Sequence, residues 1–302
     1  ESYGTVVLDE PRYREAIEPA LAAFAAATRT AGYGLVSARL TSPVFGGGSW
    51  LAHATLASGL KLDPFLYRLL TTSARLSLPR YLQAAEHRTV AVMPGIKKPW
   101  PEGDFFGYDR GYYAADLGYD GPPFGWFRIP DQFTLARLDQ WELAPGHKPL
   151  FAEIVLVSSH TPFAPVPPYV ADWADAGPYK SVSEADWRRI YLEPDWGHLD
   201  RPYLDSIAYD LRTLAAWLAR LDGAPLVIIL GDHQPPGMVP SNAAPWTVPV
   251  HVLSRDPALL APFVRAGYRP GAAPPADGLV KGMETFLGDF LAGFSRGGHA
   301  GF

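Results

Sequence analysis

The sequence predicts an α/β domain: a mostly parallel central sheet with helices on both faces, stacked as a three-layer sandwich. Two observations carry this. Short apolar runs such as "PLFAEIVL" and "APLVIIL" have the composition of strands buried on both faces. Between them lie long segments with helical periodicity, and strands alternating with helices form such a sheet. The chain has 302 residues, of which 48% are hydrophobic and 19% charged, enough for one large core. That length admits one large domain or two ordinary ones, and residues 1–302 are read as one.

The elements follow in order. "EPRYREAIEPALAAFAAATRTAG" predicts a helix from Tyr13 to Thr30, closed by Gly32. "GLVSARLTS" is a strand. After Gly46-Gly47-Gly48, a helix runs from Ser49 to about Leu60, with Trp50, His53, Ala54 and Ala57 at helical spacing. Two more helices are expected over Pro64–Leu76 and Pro79–Ala85, and "RTVAVMPG" is a short strand before a breaker. Residues 95–147 are rich in aromatics, glycine and proline and predict a long, loop-rich insertion. "PLFAEIVLVSSH" is a strand, and residues 161–200 are loop-like. "YLDSIAYDLRTLAAWLARLDG" is the clearest helix: Leu204, Ile207, Leu211, Leu214 and Leu218 share one apolar stripe, and Gly223 closes it. Strands "APLVIILGDH" and "VPVHVLS" and helices "DPALLAPFVRAG" and "METFLGDFLAGF" complete the chain.

Composition narrows the function. A net charge of -5 argues against a general nucleic-acid binder. The absence of cysteine removes disulfides, thiolate metal sites and cysteine nucleophiles. No run of 18 apolar residues offers a membrane span.

In sheets of this kind the chemistry gathers at the carboxyl ends of the strands. Three polar positions stand there: Ser49 after the glycine run, His160 after "EIVLVSS", and Asp232-His233 after "LVIILG". An Asp-His pair suits a divalent metal, the imidazole favouring Zn or Mn over Mg; the alternative is an ordinary turn. Ser49 at a helix start would meet an anion on the first N–H groups, or would simply cap the helix. His160 is suited to a phosphoryl oxygen or a leaving group, or is a strand-end surface histidine; Arg110 in "FFGYDRGYY" is suited to clamping an anion, or is an exposed loop cation. His53 lies one turn into the Ser49 helix and would support the site, whereas His251, inside a strand, reads as packed.

Taken together, these blocks resemble the alkaline phosphatase/sulfatase superfamily, and within it the lipoteichoic acid synthases and phosphoglycerol or phosphoethanolamine transferases. "ESYG" at Glu1 resembles the acidic metal ligand that follows the family's first strand. "SWLAHATLASG" keeps the spacing of the sulfatase signature, with Ser49 at the nucleophile, Leu56 at its leucine and Gly59 at its glycine. "SSHTPF" is similar to the central histidine block, and "YLDSIAYDLRTLAAWL" followed by "LVIILGDH" to the long helix, strand and metal pair.

The resemblance implies one divalent metal, Zn or Mn with Mg also admitted, on Glu1, Ser49, Asp232 and His233. Ser49 would double as nucleophile, His160 would contact the transferred group, and Arg110 would be the substrate arginine. It implies transfer of a substituted phosphoryl group from a phospholipid-like donor to an envelope glycan or lipid. The place would be the periplasmic or extracytoplasmic face of a bacterial membrane, reached through an anchor and first strand upstream of Glu1. Where sulfatases carry proline and arginine this chain has Leu51 and His53, so formylglycine chemistry is not expected. The close transferases mostly carry threonine in place of Ser49. Two other readings remain open: a phosphodiester or phosphonate hydrolase of the same fold, and a non-catalytic relative that stacks glycans on the aromatics of residues 99–127.

Overall fold

The computed structural model describes residues 1–125, 129–143, 148–174, 177–180, 185, 195–239 and 244–295. The chain opens with helices α1 (Val6–Asp9) and α2 (Pro11–Thr30), then strand β1 (Gly34–Thr41). Helices α3 (Ser49–Ser58), α4 (Pro64–Thr71) and α5 (Leu78–Ala84) lead to β2 (Arg88–Met93). Proline opens α2 and α4, where its missing N–H costs nothing, and Asp63 caps α4 by accepting from the N–H groups of Phe65 and Leu66 at 2.8 Å each. Next come α6 (Gly103–Phe106), β3 (Arg110–Tyr113), α7 (Asp131–Glu142), β4 (Leu150–Ile154) and α8 (Gly177–Lys180). Then follow α9 (Asp200–Leu218), β5 (Val227–Leu230), β6 (Thr247–Ser254), α10 (Pro257–Arg265), β7 (Arg269–Pro270), β8 (Val280–Gly282) and α11 (Phe286–Phe294).

The strands form two sheets. One has the order β5-β6-β1-β7, with β8 also paired to β1; the other has the order β3-β2-β4. The predicted α/β layering holds, but the strand directions are mixed. In the second sheet all pairs are parallel, whereas β1–β6, β5–β6 and β1–β7 are antiparallel and only β8 runs parallel to β1. The physical reason is that an apolar run reports burial on both faces, and burial does not encode direction.

Side chains alternate across β1 and β6 and build the layers. Val36, Ala38 and Leu40 of β1, with Val248, Val250 and Val252 of β6, face a core that includes Leu260, Phe263 and Phe286 of α10 and α11. The opposite face carries Ser37, Arg39 and His251. There Arg39 forms a two-pronged pair with Asp9 at 2.8 Å per bond, tying β1 to α1. A larger core joins α2 and α9 through Tyr13, Ile17, Phe24, Ile207, Leu211 and Leu218. The apolar stripe expected on the 204–218 helix is thus the one that packs.

Two sequence expectations change. The strands around 150–154 and 227–230 are half-buried rather than buried, because among the described residues β4 pairs only with β2 and β5 only with β6. The insertion at 95–147 also holds more regular structure than its composition suggests, namely α6, β3 and α7. Residues 126–128 and 144–147 of it, and 175–176, 181–184 and 186–194 of the 161–200 stretch, lie outside the described residues.

Candidate active site

The glycine run does a specific job. Gly46, Gly47 and Gly48 have φ of 67°, 145° and 85°, a left-handed path that side chains resist. Gly48 caps α3, so Ser49 is the first helical residue, and no side-chain capping bond forms there. Ser49 is therefore not a cap. Its hydroxyl turns into the molecule and donates to Glu1, with Oγ 3.2 Å from Oε1, while His233 Nε2 stands 3.3 Å from the same Oγ.

Glu1, Asp232 and His233 offer ligand atoms that all lie within 4.8 Å of one another, the one such group among the described residues. His233 Nε2 is 3.4 Å from Glu1 Oε1 and 3.7 Å from Asp232 Oδ1, and all three side chains are buried. The imidazole orientation is fixed from behind: Nδ1–H donates to the Gln234 carbonyl at 2.7 Å, which leaves Nε2 facing the carboxylates. Both Asp232 oxygens are buried without a hydrogen-bond partner. Two carboxylates and an imidazole nitrogen aimed at one point, one carboxylate unsatisfied, fit a divalent cation. Electrostatics agree. Burial works to lower the His233 pKa, but Asp232 and Glu1 outweigh it and hold the group above its ordinary value. The pocket attracts positive charge.

A second layer stands behind these groups. His53, one turn beyond Ser49 on α3, donates its Nδ1–H to Glu153 at 3.0 Å, and its Nε2 is 3.9 Å from Asp232. Glu153 also accepts a very short bond from the Tyr108 hydroxyl. Burial opposes charge on His53, yet Glu153 and Asp232 prevail and raise its pKa. The Tyr108 phenol is pushed well above its ordinary range, first by burial and then by Glu153, so it stays a donor.

The site opens into a cavity of about 960 Å³ whose wall includes Glu1, Ser49, His53, Glu153 and His160. His160 stands in the turn after β4, half-buried, with Nδ1 2.6 Å from the Thr161 carbonyl. Aromatic and cationic side chains continue the wall outward: Trp50, Tyr67, Trp100, Arg68, Lys97 and Lys98. A pocket of this size and lining admits a substrate with both apolar and anionic parts.

Neither a family model nor a curated protein matches the sequence. Solved structures do. The chain is similar to the lipoteichoic acid synthase LtaP from Listeria monocytogenes, with a TM-score of 0.59 and 12% identity over 96% of this chain and 69% of that one. It is also similar to the Streptococcus pyogenes phosphoglycerol transferase GacH in complex with sn-glycerol-1-phosphate, with a TM-score of 0.51 and 11% identity over 80% and 75% of the two chains. The C-terminal periplasmic domain of EcEptC from Escherichia coli aligns with a TM-score of 0.52 and 16% identity over 86% and 72%, and it has also been solved in complex with Zn. A protein in the alkaline phosphatase superfamily from Vibrio parahaemolyticus aligns with a TM-score of 0.51 and 14% identity over 76% and 53%, and the fold is the one these structures share. On this chain it brings Glu1, Ser49, Asp232 and His233 together, with His160 on the wall of the adjoining cavity.

Arg110 does not join them. It opens β3 in register with Val90, while the cavity borders Met93 three residues along β2, about 10 Å away at the strand rise. Its guanidinium binds Asp116 at 2.9 Å and lies over the Tyr112 ring. The cations that do line the cavity are Arg68, Lys97 and Lys98. Sequence reasoning also passed over Glu153 and Tyr108. Glu153 had a signal, being the one carboxylate inside an otherwise apolar strand; Tyr108 had none, two residues from the arginine that drew attention instead.

Proposed function

We propose that the protein is a metal-dependent phosphotransferase that moves a substituted phosphoryl group, phosphoglycerol- or phosphoethanolamine-like, through a covalent intermediate on Ser49. The carrying observation is that the Ser49 hydroxyl, freed from capping, meets Glu1 and His233 at hydrogen-bond distance beside the buried Asp232. A divalent ion, Zn or Mn, with Mg also admitted by the donor set, would be held by Glu1, Ser49, Asp232 and His233, and when bound it lowers the serine pKa and offsets phosphoryl charge.

The residues themselves do the rest. Gly46–Gly48 and the first turn of α3 hold Ser49 Oγ in line with phosphorus. As the Oγ–P bond forms, the bond from phosphorus to the leaving oxygen breaks, and the net exchange is one proton from Ser49 to the departing alcohol. His160, on the cavity wall, relays that proton to the departing oxygen. An acceptor hydroxyl then displaces Ser49 by the reverse route. Glu153 and Tyr108 hold His53, which packs behind Asp232. The donor is phospholipid-like and the acceptor a glycan or lipid of the cell envelope, on the extracytoplasmic side of the membrane. The likeness to a periplasmic domain and to transferases supports this placement.

The test is release of alcohol from a phosphodiester donor, with intact mass measured on the stalled enzyme. Wild type gains a phosphoryl-type adduct on Ser49; Ser49→Ala gains none and turns over at least about 10³-fold more slowly. An adduct elsewhere, or full activity in Ser49→Ala, overturns the reading. Release into water at the same rate with and without acceptor makes the enzyme a hydrolase.

A further inference from the structure

Helix α4 has an unusual surface. Its sequence "PFLYRLLT" turns Tyr67 and Leu70 inward, where they pack with Leu51, Ala54 and Phe105. The remaining large apolar residues point out: Phe65 is 61% exposed, Leu69 53%, and Leu66 42%. Phe65 and Leu69 are four residues apart and share one face, with Leu66 beside them. Leu60 before the helix and Leu76 after it are exposed as well. Scattered exposed leucines need no explanation, but a contiguous set on one helix marks an interaction surface.

Two further features say what kind. The first is charge. The chain as a whole carries -5, yet residues 60–76 and 96–102 hold five cations, Lys61, Arg68, Arg75, Lys97 and Lys98, against the carboxylates Asp63 and Glu102. All five cations are exposed. The second is position. Pro64, Tyr67 and Arg68 of α4 line the catalytic cavity together with Lys97 and Lys98, and the Tyr67 ring meets Trp50, next to Ser49, edge to face at 4.6 Å. The apolar face is thus the outer lip of the cavity that leads to Ser49.

We infer that the outward face of α4 is a docking surface for an anionic lipid bilayer. Phe65, Leu66 and Leu69 enter the boundary between headgroups and acyl chains, and the surrounding lysines and arginines sit at headgroup level. Apolar insertion and attraction to anionic lipid act together in interfacial helices. Docked this way, the cavity mouth opens onto the headgroup layer. The inference does not depend on which phosphoryl group Ser49 transfers.

The experiment is co-sedimentation of the 302-residue protein with vesicles of phosphatidylcholine containing phosphatidylglycerol, and with phosphatidylcholine alone. The protein partitions onto the anionic vesicles, less onto the neutral ones, and less at high ionic strength. Phe65→Ser with Leu69→Ser lowers partitioning at least about tenfold, since each removes a large apolar side chain from the lipid. Lys61→Glu lowers it about fivefold or more. All three residues are exposed, so thermal unfolding stays at the wild-type midpoint and separates loss of docking from loss of fold. No binding to anionic vesicles, or equal binding by the double serine variant, overturns the inference. So does a dimer in solution that the double variant dissolves without any vesicle binding, because the face would then belong to a second copy of the chain.

Discussion

Tyr3 and Gly231 touch so closely that the position of Glu1 depends on a missing side chain. A Cβ placed on Gly231 would stand 2.0 Å from the Tyr3 carbonyl oxygen. One residue on, the Asp232 N–H donates to the Glu1 carbonyl at 3.3 Å, so the two halves of the proposed metal site, more than 200 residues apart in sequence, are registered by backbone contact. Gly231→Ala must push residues 1–3 away from β5. Expected are a loss of about 1–3 kcal/mol in stability, the scale of overpacking, and a metal content well below that of wild type. Thermal unfolding and elemental analysis check the two separately; a variant that keeps its metal would show that Glu1 tolerates displacement.

At the scale of elements, α3 carries Ser49, the proposed nucleophile, and its entry is the sensitive point. Gly48 at φ 85° lies 3.2 Å, through a would-be Cβ, from the Val44 side chain. Gly48→Ala is expected to cost about 1 kcal/mol from the left-handed conformation, and more from the contact. Because Ser49 follows directly, turnover should fall more than stability does, and steady-state kinetics beside thermal unfolding read that split. This element was legible in the sequence: three glycines, then a polar residue opening a helical run closed by Gly59. So were β1, β6 and α9, whose apolar spacing is the spacing that packs. Helix α7 was not, because Asp131, Gln132, Thr134 and Glu142 are all buried and leave no apolar stripe to read. Asp131 is buried because it accepts from the Val157 and Ser158 N–H groups at 2.7 and 2.9 Å, bracing the turn before His160. The cluster of Glu1, Asp232 and His233 was legible because each member sits at a strand end or in a short motif. The His53, Glu153 and Tyr108 group was not, since it joins three segments that share no local signature. Arg110 was misplaced because nothing in "YDRGYY" tells which end of its strand faces the cavity.

At the scale of the whole molecule, His251 ties a buried proton site to folding. His251, at the centre of β6, is fully buried between the two cores. Its Nδ1 is 2.7 Å from Ser37 Oγ, which donates onward to the Gly271 carbonyl at 2.6 Å, so Nδ1 carries the hydrogen and Ser37 accepts it. Nε2 then accepts from the Tyr3 hydroxyl at 3.0 Å. Burial strips a charged ring of its hydration and lowers the His251 pKa from 6.5 to about 4. The unfolded chain therefore binds this proton more readily. The His251 contribution is fully present above pH 6.5 and is lost as pH falls toward about 4. His53 and His233 act in the opposite sense: their pKa values are raised, so what they contribute is present below the ordinary histidine pKa and fades as pH rises. The net curve of the wild type hence mixes signs, and a difference measurement is needed. His251→Gln keeps a neutral acceptor for Tyr3 and a donor for Ser37 at every pH. The stability of wild type relative to this variant should fall by about 2 kcal/mol between about pH 7.5 and about pH 5. Urea unfolding of both proteins at the two pH values measures it. A constant difference would mean that His251 titrates alike in the folded and unfolded chains, and that burial does not hold it neutral.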